Sequence, residues 1–193
     1  KVKDFGFHNE KIHVVFTDNG KFECDKVVIT AGIWSKNLMQ KLGLKIPLEA
    51  ERGYHVVYKN ASILPRNPMM MTVGKFGVTP MKGDLRCAGT VELGGIKIGP
   101  SQGPIKLLRR RVAEAFPKMT YDKTEEWLGF RPTAPDSLPL IGQLKESGVY
   151  TAFGHQHIGM TSGPKTGRLI SDIINYRSPN INMSFYDPNR FNS

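Results

Sequence analysis

Gly154-His155-Gln156-His157-Ile158-Gly159-Met160-Thr161-Ser162-Gly163-Pro164, running into Lys165-Thr166-Gly167-Arg168-Leu169-Ile170-Ser171-Asp172-Ile173-Ile174, is the stretch on which the fold turns. Before it, Val149-Tyr150-Thr151-Ala152-Phe153 reads as a short buried strand. After it, Leu169, Ile170, Ile173 and Ile174 recur at helical spacing. Pro164 suits the first turn of that helix, where its missing N–H removes nothing needed. Thr161 and Ser162 are candidate caps. The unit is strand, glycine-rich turn, helix N-terminus. Free N–H groups and the helix dipole there favour an anionic or electron-rich ligand. An ordinary strand-to-helix turn would have the same spacing.

Working outward, a second unit of the same kind lies near the start of the chain. Val27-Val28-Ile29-Thr30 is a continuous apolar run and predicts a strand buried on both faces. It ends at Ala31-Gly32, small residues that let backbone or ligand approach closely. Ser35 predicts a cap for a helix to about Leu42, stopped by Gly43. Upstream, Lys11–Thr17 predicts a strand, Asp18-Asn19-Gly20-Lys21 a hairpin turn, and Phe22-Glu23-Cys24 the return.

The middle differs. Pro47–Tyr58, Met69–Val73, Lys75–Pro80 and Leu85–Leu93 predict strands of a mainly antiparallel sheet, and Thr124–Pro132 leads back towards the first region. Ile105, Leu108, Val112 and Ala115 mark the apolar stripe of a helix over about 104–116. The expected organisation is therefore α/β in residues 1–46 and 135–176, an inserted sheet domain in 47–134, and a tail from 177 to 193 extended on the surface.

The 193 residues carry a formal charge of +10. Nucleic acid is the first partner this suggests. The densest run, Arg109-Arg110-Arg111, falls largely on the solvated side of the predicted helix, and no helix-turn-helix, zinc-finger or RNP-like pattern accompanies it. The reading is against nucleic acid; anionic lipid at a membrane surface stays open. No apolar run approaches the roughly 20 residues of a membrane span, and Lys1-Val2-Lys3-Asp4 does not open a signal peptide. The chain does not begin with Met, so the expectation is a start inside a longer protein or after a removed segment. Cys24 and Cys87 lack CxxC partners and read as free thiols of a reducing compartment. The expected location is cytoplasmic, with membrane association open. His155 and His157 supply at most two metal ligands with no nearby completion, so no metal is expected.

Three stretches together resemble one family, the flavin-dependent amine and amino-acid oxidoreductases of the D-amino acid oxidase, glycine oxidase and D-amino acid dehydrogenase type. They are Val27–Ser35 with Pro47–Tyr54 downstream, then Gly129-Phe130-Arg131-Pro132-Thr133-Ala134-Pro135-Asp136-Ser137-Leu138-Pro139-Leu140-Ile141-Gly142, and the stretch from Gly154. The D-amino acid dehydrogenase branch is the most similar. The resemblance implies part of a Rossmann-like FAD-binding domain with an inserted antiparallel substrate domain. It implies FAD as cofactor, an amino acid as substrate, and oxidation of a D-amino acid to an imino and then an oxo acid by hydride transfer. Oxidation of a secondary amine or 2-hydroxy acid is the alternative within the family, and a non-catalytic domain binding a small anion or partner the alternative outside it. Such enzymes hold the FAD pyrophosphate with a GxGxxG unit. These residues contain none, so the resemblance is to a C-terminal half. Its partner would be the missing N-terminal half, and the isolated chain is expected to bind FAD weakly and to be inactive.

By the same resemblance, Ala31 and Gly32 contact the FAD, and Gly154, His155, Gly159, Met160 and Thr161 belong to the loop around the flavin ring. Arg131 binds the substrate carboxylate; an internal salt bridge with Asp136 is the other explanation of a guanidinium between Phe130 and Pro132. His157 faces substrate or is a packed loop histidine. Tyr54, with Arg52, lines the pocket or joins sheet to core. No catalytic base is expected.

Overall fold

The computed structural model describes residues 1–191. In chain order the elements begin with β1 (Val2–His8), β2 (Lys11–Thr17), β3 (Gly20–Glu23), β4 (Val27–Ile29) and α1 (Ser35–Lys41). Next come β5 (Glu49–Tyr58), β6 (Met69–Met71), β7 (Phe76–Pro80), β8 (Leu85–Leu93), α2 (Gln102–Ala115) and β9 (Thr124–Thr133). The last are β10 (Leu140–Gln143), β11 (Val149–Phe153) and α3 (Gly159–Ile174). The chain divides into two compact units, Lys1–Glu49 with the chain from Arg131 on, and Ala50–Phe130. Among the described residues no helix is long and apolar enough to cross a membrane.

The first unit holds two small sheets. One is the antiparallel meander β1-β2-β3. Its β2–β3 turn is closed by Thr17, whose hydroxyl donates to the Gly20 carbonyl and accepts from Asn19 N–H. β1 was not legible as a strand, because register shifts between Val2 and Asp4 and between Gly6 and Phe7 break its two-residue period. The other sheet has the order β10-β11-β4. β11 runs antiparallel to β10 and parallel to β4, with Val27 opposite Val149 and Ile29 opposite Thr151. Leu169 and Ile170 of α3 pack on Ile141 and Tyr150 of this sheet. As the middle strand, β11 is buried along nearly its whole length. β4 differs from the sequence reading: among the described residues it is the outer strand of this sheet, and Val28 is 37% exposed there rather than buried on both faces.

Two further expectations are corrected here. Ser35 does not cap α1. A 3-10 turn, Gly32–Trp34, runs directly into the helix, and the buried Ser35 hydroxyl has no hydrogen-bond partner. Nor does the tail simply lie extended. Met183 and Tyr186 pack against the Ile141–Tyr150–Leu169–Ile170 cluster, and the Arg190 guanidinium forks onto Asp136, Nε to Oδ2 at 2.7 Å and Nη2 to Oδ1 at 3.2 Å. Apolar side chains among the Asn and Pro residues gave the tail something to bury. Residues 192 and 193 lie outside the described residues.

The second unit is the antiparallel sheet β6-β7-β8-β5-β9 with α2 on one face. Ile105, Leu108 and Val112 of α2 pack on Tyr54, Val56, Tyr58, Val78, Leu85 and Cys87. Each such buried side chain contributes about 1.5–3 kcal/mol relative to exposure. The basic run is largely occupied by the fold: Arg109 pairs with Glu126 at 2.8 Å, Arg110 with Glu114 at 3.7 Å, and Arg111 donates to the Gly74 carbonyl at 2.6 Å.

Candidate functional site

β4 and β11 are parallel neighbours, so their C-terminal ends emerge side by side. Ala31-Gly32 follows one and Gly154 the other, and each leads towards a helix. In parallel α/β sheets the carboxyl ends of the strands are where ligands sit. The backbone at both ends favours glycine: Gly32 has φ +54° and Gly154 φ +91°. A side chain at residue 32 would meet no atom within 4 Å, so that surface is open.

From Gly154 the chain makes a compact turn into α3. Gln156 has φ +51° and donates its N–H to the Pro132 carbonyl at 3.2 Å. His155 is half-buried, its Nε2 2.9 Å from the hydroxyl of Thr166, about two turns into α3, and burial pushes its imidazolium pKa down. A neutral imidazole thus ties the turn to the helix. His157 is exposed and has no partner among the described residues.

The helix begins earlier than its sequence suggested. Gly159 is its first residue, Ile158 precedes it without a side-chain cap, and Pro164 lies inside it. Thr161 and Ser162 therefore do not cap; their N–H groups both reach the Ile158 carbonyl at 3.0 Å. Among the described residues nothing accepts from the N–H groups of Gly159 and Met160, and the Met160 side chain is almost wholly exposed. A 16-residue helix with two unspent N–H donors carries a partial positive charge at that end.

Arg131 is near the end of β9, one residue before the carbonyl that receives Gln156. It is half-buried and has no hydrogen-bonding or ion-pairing partner among the described residues. Asp136 is not its counterion. Burial alone would raise the Asp136 carboxyl, but the Arg190 fork and Leu138 N–H outweigh it and hold it below its ordinary range. The first unit thus gathers Ala31, Gly32, Gly154, His155, His157, Gly159, Met160, Thr161 and Arg131 around two strand ends. Gln156 and Thr166, which make the joins, were not marked in the sequence; a left-handed residue at 156 has no side-chain signature.

Tyr54 belongs to the second unit and is 1% exposed. Its hydroxyl donates to Glu92 Oε2 at 2.6 Å and accepts from Arg52 Nη2 and Ser101 N–H, each at 3.1 Å. Arg52, also 1% exposed, pairs through Nε with Glu92 at 3.2 Å and donates to the Gly99 carbonyl. The hydroxyl's one donor and two acceptor positions are all used. These two residues brace β5 against β8 and the Gly99–Ser101 segment.

The FAD dependent oxidoreductase family profile matches residues 1–173. The chain is 37% identical over 196 aligned positions to a D-amino-acid oxidase of Bradyrhizobium diazoefficiens, covering 99% of this chain and 47% of that protein. It is 33% identical over 176 positions to a D-amino acid dehydrogenase of Vibrio vulnificus, covering 90% and 42%. In fold it is similar to a glycine oxidase of Geobacillus kaustophilus, TM-score 0.84 at 24% identity, over 97% of this chain and 51% of that one. The chain spans about half the length of the curated relatives it matches.

Proposed function

The chain belongs to the FAD dependent oxidoreductase family, and on that premise we propose that the protein containing it oxidises a D-amino acid to the imino acid. Loss of the α-hydrogen as hydride from the neutral amine leaves an iminium, which water hydrolyses to the oxo acid and ammonia. FAD, when bound, supplies the hydride acceptor.

The residues present fit that cofactor. Open surface at Gly32, a small-residue turn at Gly154 and two unspent N–H groups at the head of α3 suit a flat, electron-rich ring system that gains negative charge. Gly32, Gly154, Gly159 and Met160 would hold it through backbone, and His155 keeps their turn fixed through Thr166. Arg131 grips the substrate carboxylate with a planar fork that has no internal use. His157 borders the same turn as a substrate contact. No side-chain base is assigned, because the amine lone pair drives the step when the amine is neutral.

The observation that carries this reading is the bond from Gln156 N–H to the Pro132 carbonyl. It fastens the turn between β11 and α3 to the strand end that carries an unpaired arginine, so anion grip and electron-rich-ring site share one scaffold. The test is to purify the full-length protein, record its flavin absorbance, and assay oxo-acid formation from D- and L-amino acids, secondary amines and 2-hydroxy acids. A flavin band with turnover of D-amino acids is expected. A colourless protein, or turnover confined to the other substrates, refutes the proposal.

A further inference from the structure

At the C-terminal end of α2 the second unit holds a cavity of about 440 Å³, within the range of small-molecule sites. Pro117 bars Phe116 from helical geometry, so α2 stops there and the chain turns back. The returning segment is strapped to the chain at the end of β5. Asp122 N–H donates to the Lys59 carbonyl at 3.0 Å, Lys59 N–H to the Lys123 carbonyl at 2.9 Å, and Ser62 N–H to the Thr120 carbonyl at 2.9 Å. Phe116 and Met119 pack against the core under α2. Tyr121 meets the Tyr58 ring edge-on, with centroids 4.8 Å apart. These four side chains line the cavity together with Arg109 and Arg110, so its walls are fixed before any ligand arrives.

Tyr58 is 3% exposed, yet its hydroxyl makes no hydrogen bond among the described residues. The other deeply buried tyrosine of this sheet core, Tyr54, spends its one donor and both acceptor positions. A buried phenol with an unmet donor is unfavourable unless something completes it. The Tyr58 oxygen is not among the atoms closed off from solvent, so it opens on the cavity that its side chain lines. Burial pushes its pKa up, against a smaller opposing pull from the Arg109 charge, and the phenol is a donor throughout the physiological range.

Arg109 spends only Nη2 on the protein, donating to the Thr124 hydroxyl at 2.6 Å and pairing with Glu126 at 2.8 Å. Its Nε and Nη1 make no hydrogen bond among the described residues. The Arg110 Nε is 3.7 Å from Glu114. Each guanidinium thus has a carboxylate beside it, and the cavity gathers little net charge. A polyanion would meet Glu126 and Glu114 as well as the arginines. A single carboxylate on an apolar body matches every part of the lining: a phenol donor, spare guanidinium donors and aromatic walls. We propose that this cavity binds a small aromatic monocarboxylate, its ring against Phe116, Met119 and Tyr121, its carboxylate accepting from the Tyr58 hydroxyl and the remaining N–H groups of Arg109. Binding here uses none of Gly154, Gly159 or Arg131 and stands apart from amino acid oxidation.

Equilibrium dialysis of the full-length protein with labelled phenylacetate tests the site. A bound component should survive Arg131→Leu, which sets it apart from a substrate carboxylate grip. Tyr58→Phe keeps the ring and its contact with Tyr121. It should weaken that component by roughly tenfold to a hundredfold, the range for a hydrogen bond to a charged group. Without phenylacetate the same substitution should not lower Tm, because the hydroxyl it removes has no internal partner. Ala113→Phe, at an exposed position of α2 that lines the cavity, should fill the space and abolish the component with Tm unchanged. Phenethylamine and inorganic phosphate should not displace phenylacetate. Binding that neither Tyr58→Phe nor Ala113→Phe alters overturns the assignment, as does binding that Arg131→Leu removes entirely. Displacement by phosphate overturns the ligand class. A lower Tm for Tyr58→Phe in the absence of phenylacetate overturns it too, because the hydroxyl would then have a structural use. Each of these failures leaves amino acid oxidation standing.

Discussion

Arg52 and Arg131 show how differently one residue type is used in the two units. Arg52 is 1% exposed and held within its unit: its Nη2 donates to the Tyr54 hydroxyl and the Gly99 carbonyl, and its Nε, without a hydrogen bond of its own, is ion-paired with the Glu92 carboxylate. Arg131 is half-buried with no partner among the described residues, beside a carbonyl that fastens the Gly154–Gly159 turn. Burial alone would nominate Arg52 as the functional residue. Unspent hydrogen-bonding capacity nominates Arg131, because a desolvated guanidinium left unpaired is costly unless something else completes it.

The comparison breaks first on stability. Arg52→Leu removes the counterion of Glu92 and one of the two donors to the Tyr54 hydroxyl, whose own bond to Glu92 holds that carboxyl below its ordinary range. Glu92 keeps solvent access, so the loss falls chiefly on the contacts of the buried guanidinium with Tyr54 and Gly99. Chemical denaturation of the full-length protein should show that loss, whereas Arg131→Leu should leave the midpoint nearly where it was. A large midpoint drop for Arg131→Leu would make the two arginines alike and remove the basis of the contrast.

Activity should separate them in the opposite sense. Truncating one partner of a buried charged pair costs about 2–5 kcal/mol, so Arg131→Leu should reduce kcat/KM for a D-amino acid by roughly 30-fold to several thousand-fold. Arg131→Lys should recover only part, since a point charge does not reproduce the fork. An amine substrate lacking a carboxylate should be nearly indifferent to either change. Steady-state kinetics on the two substrate types decides the matter; equal losses on both would mean that Arg131 is structural.

The second unit carries a titration that the first does not match in size. The His55 pKa falls from 6.5 to about 4 on folding, so between these values the unfolded chain binds more protons than the folded one. Stability from this group is therefore complete above about pH 6.5 and declines as pH falls towards 4, by at most about 3 kcal/mol. Denaturation midpoints between pH 7 and 4 should follow that slope, and His55→Gln should flatten it. In the first unit burial lowers His155 too, but with a smaller displacement.

Much of this arrangement could be read in the residues themselves. The strands at Lys11–Thr17 and Leu85–Leu93 and the helix with Ile105, Leu108 and Val112 on one side follow from spacing alone. What escaped was settled by tertiary context. The exposure of Val28 depends on β4 being the outer strand of its sheet among the described residues, which an apolar run does not record. The choice between Arg131 and Arg190 as the partner of Asp136 depends on a tail 54 residues away in sequence folding back. Within the candidate site, the small residues at 31–32 and 154–159 were visible as a pattern. The Gln156–Pro132 bond that joins that pattern to Arg131 was not, because a backbone hydrogen bond leaves no mark on residue identity.

The smallest expected effect concerns where α3 begins, and its sign is the informative part. Pro164 reads from sequence as a first-turn residue, a position where proline is favourable. In the structure it lies inside a helix that starts at Gly159. There the N–H it lacks would have reached the Met160 carbonyl, four residues back. An interior proline costs about 3 kcal/mol relative to alanine, and much less than that where the orphaned carbonyl is at an exposed helix end. Pro164→Ala should therefore stabilise the protein by about 1 kcal/mol, a rise in Tm of about 2–4 °C for a domain of this size. If the helix instead began at Pro164, the same substitution would be neutral or would lower Tm, through loss of a residue already fixed at helical φ. The second outcome would also move the unspent N–H groups from Gly159 and Met160 to the residues after Pro164, away from the ends of β4 and β11. Thermal denaturation of one variant thus tests which backbone groups the site presents.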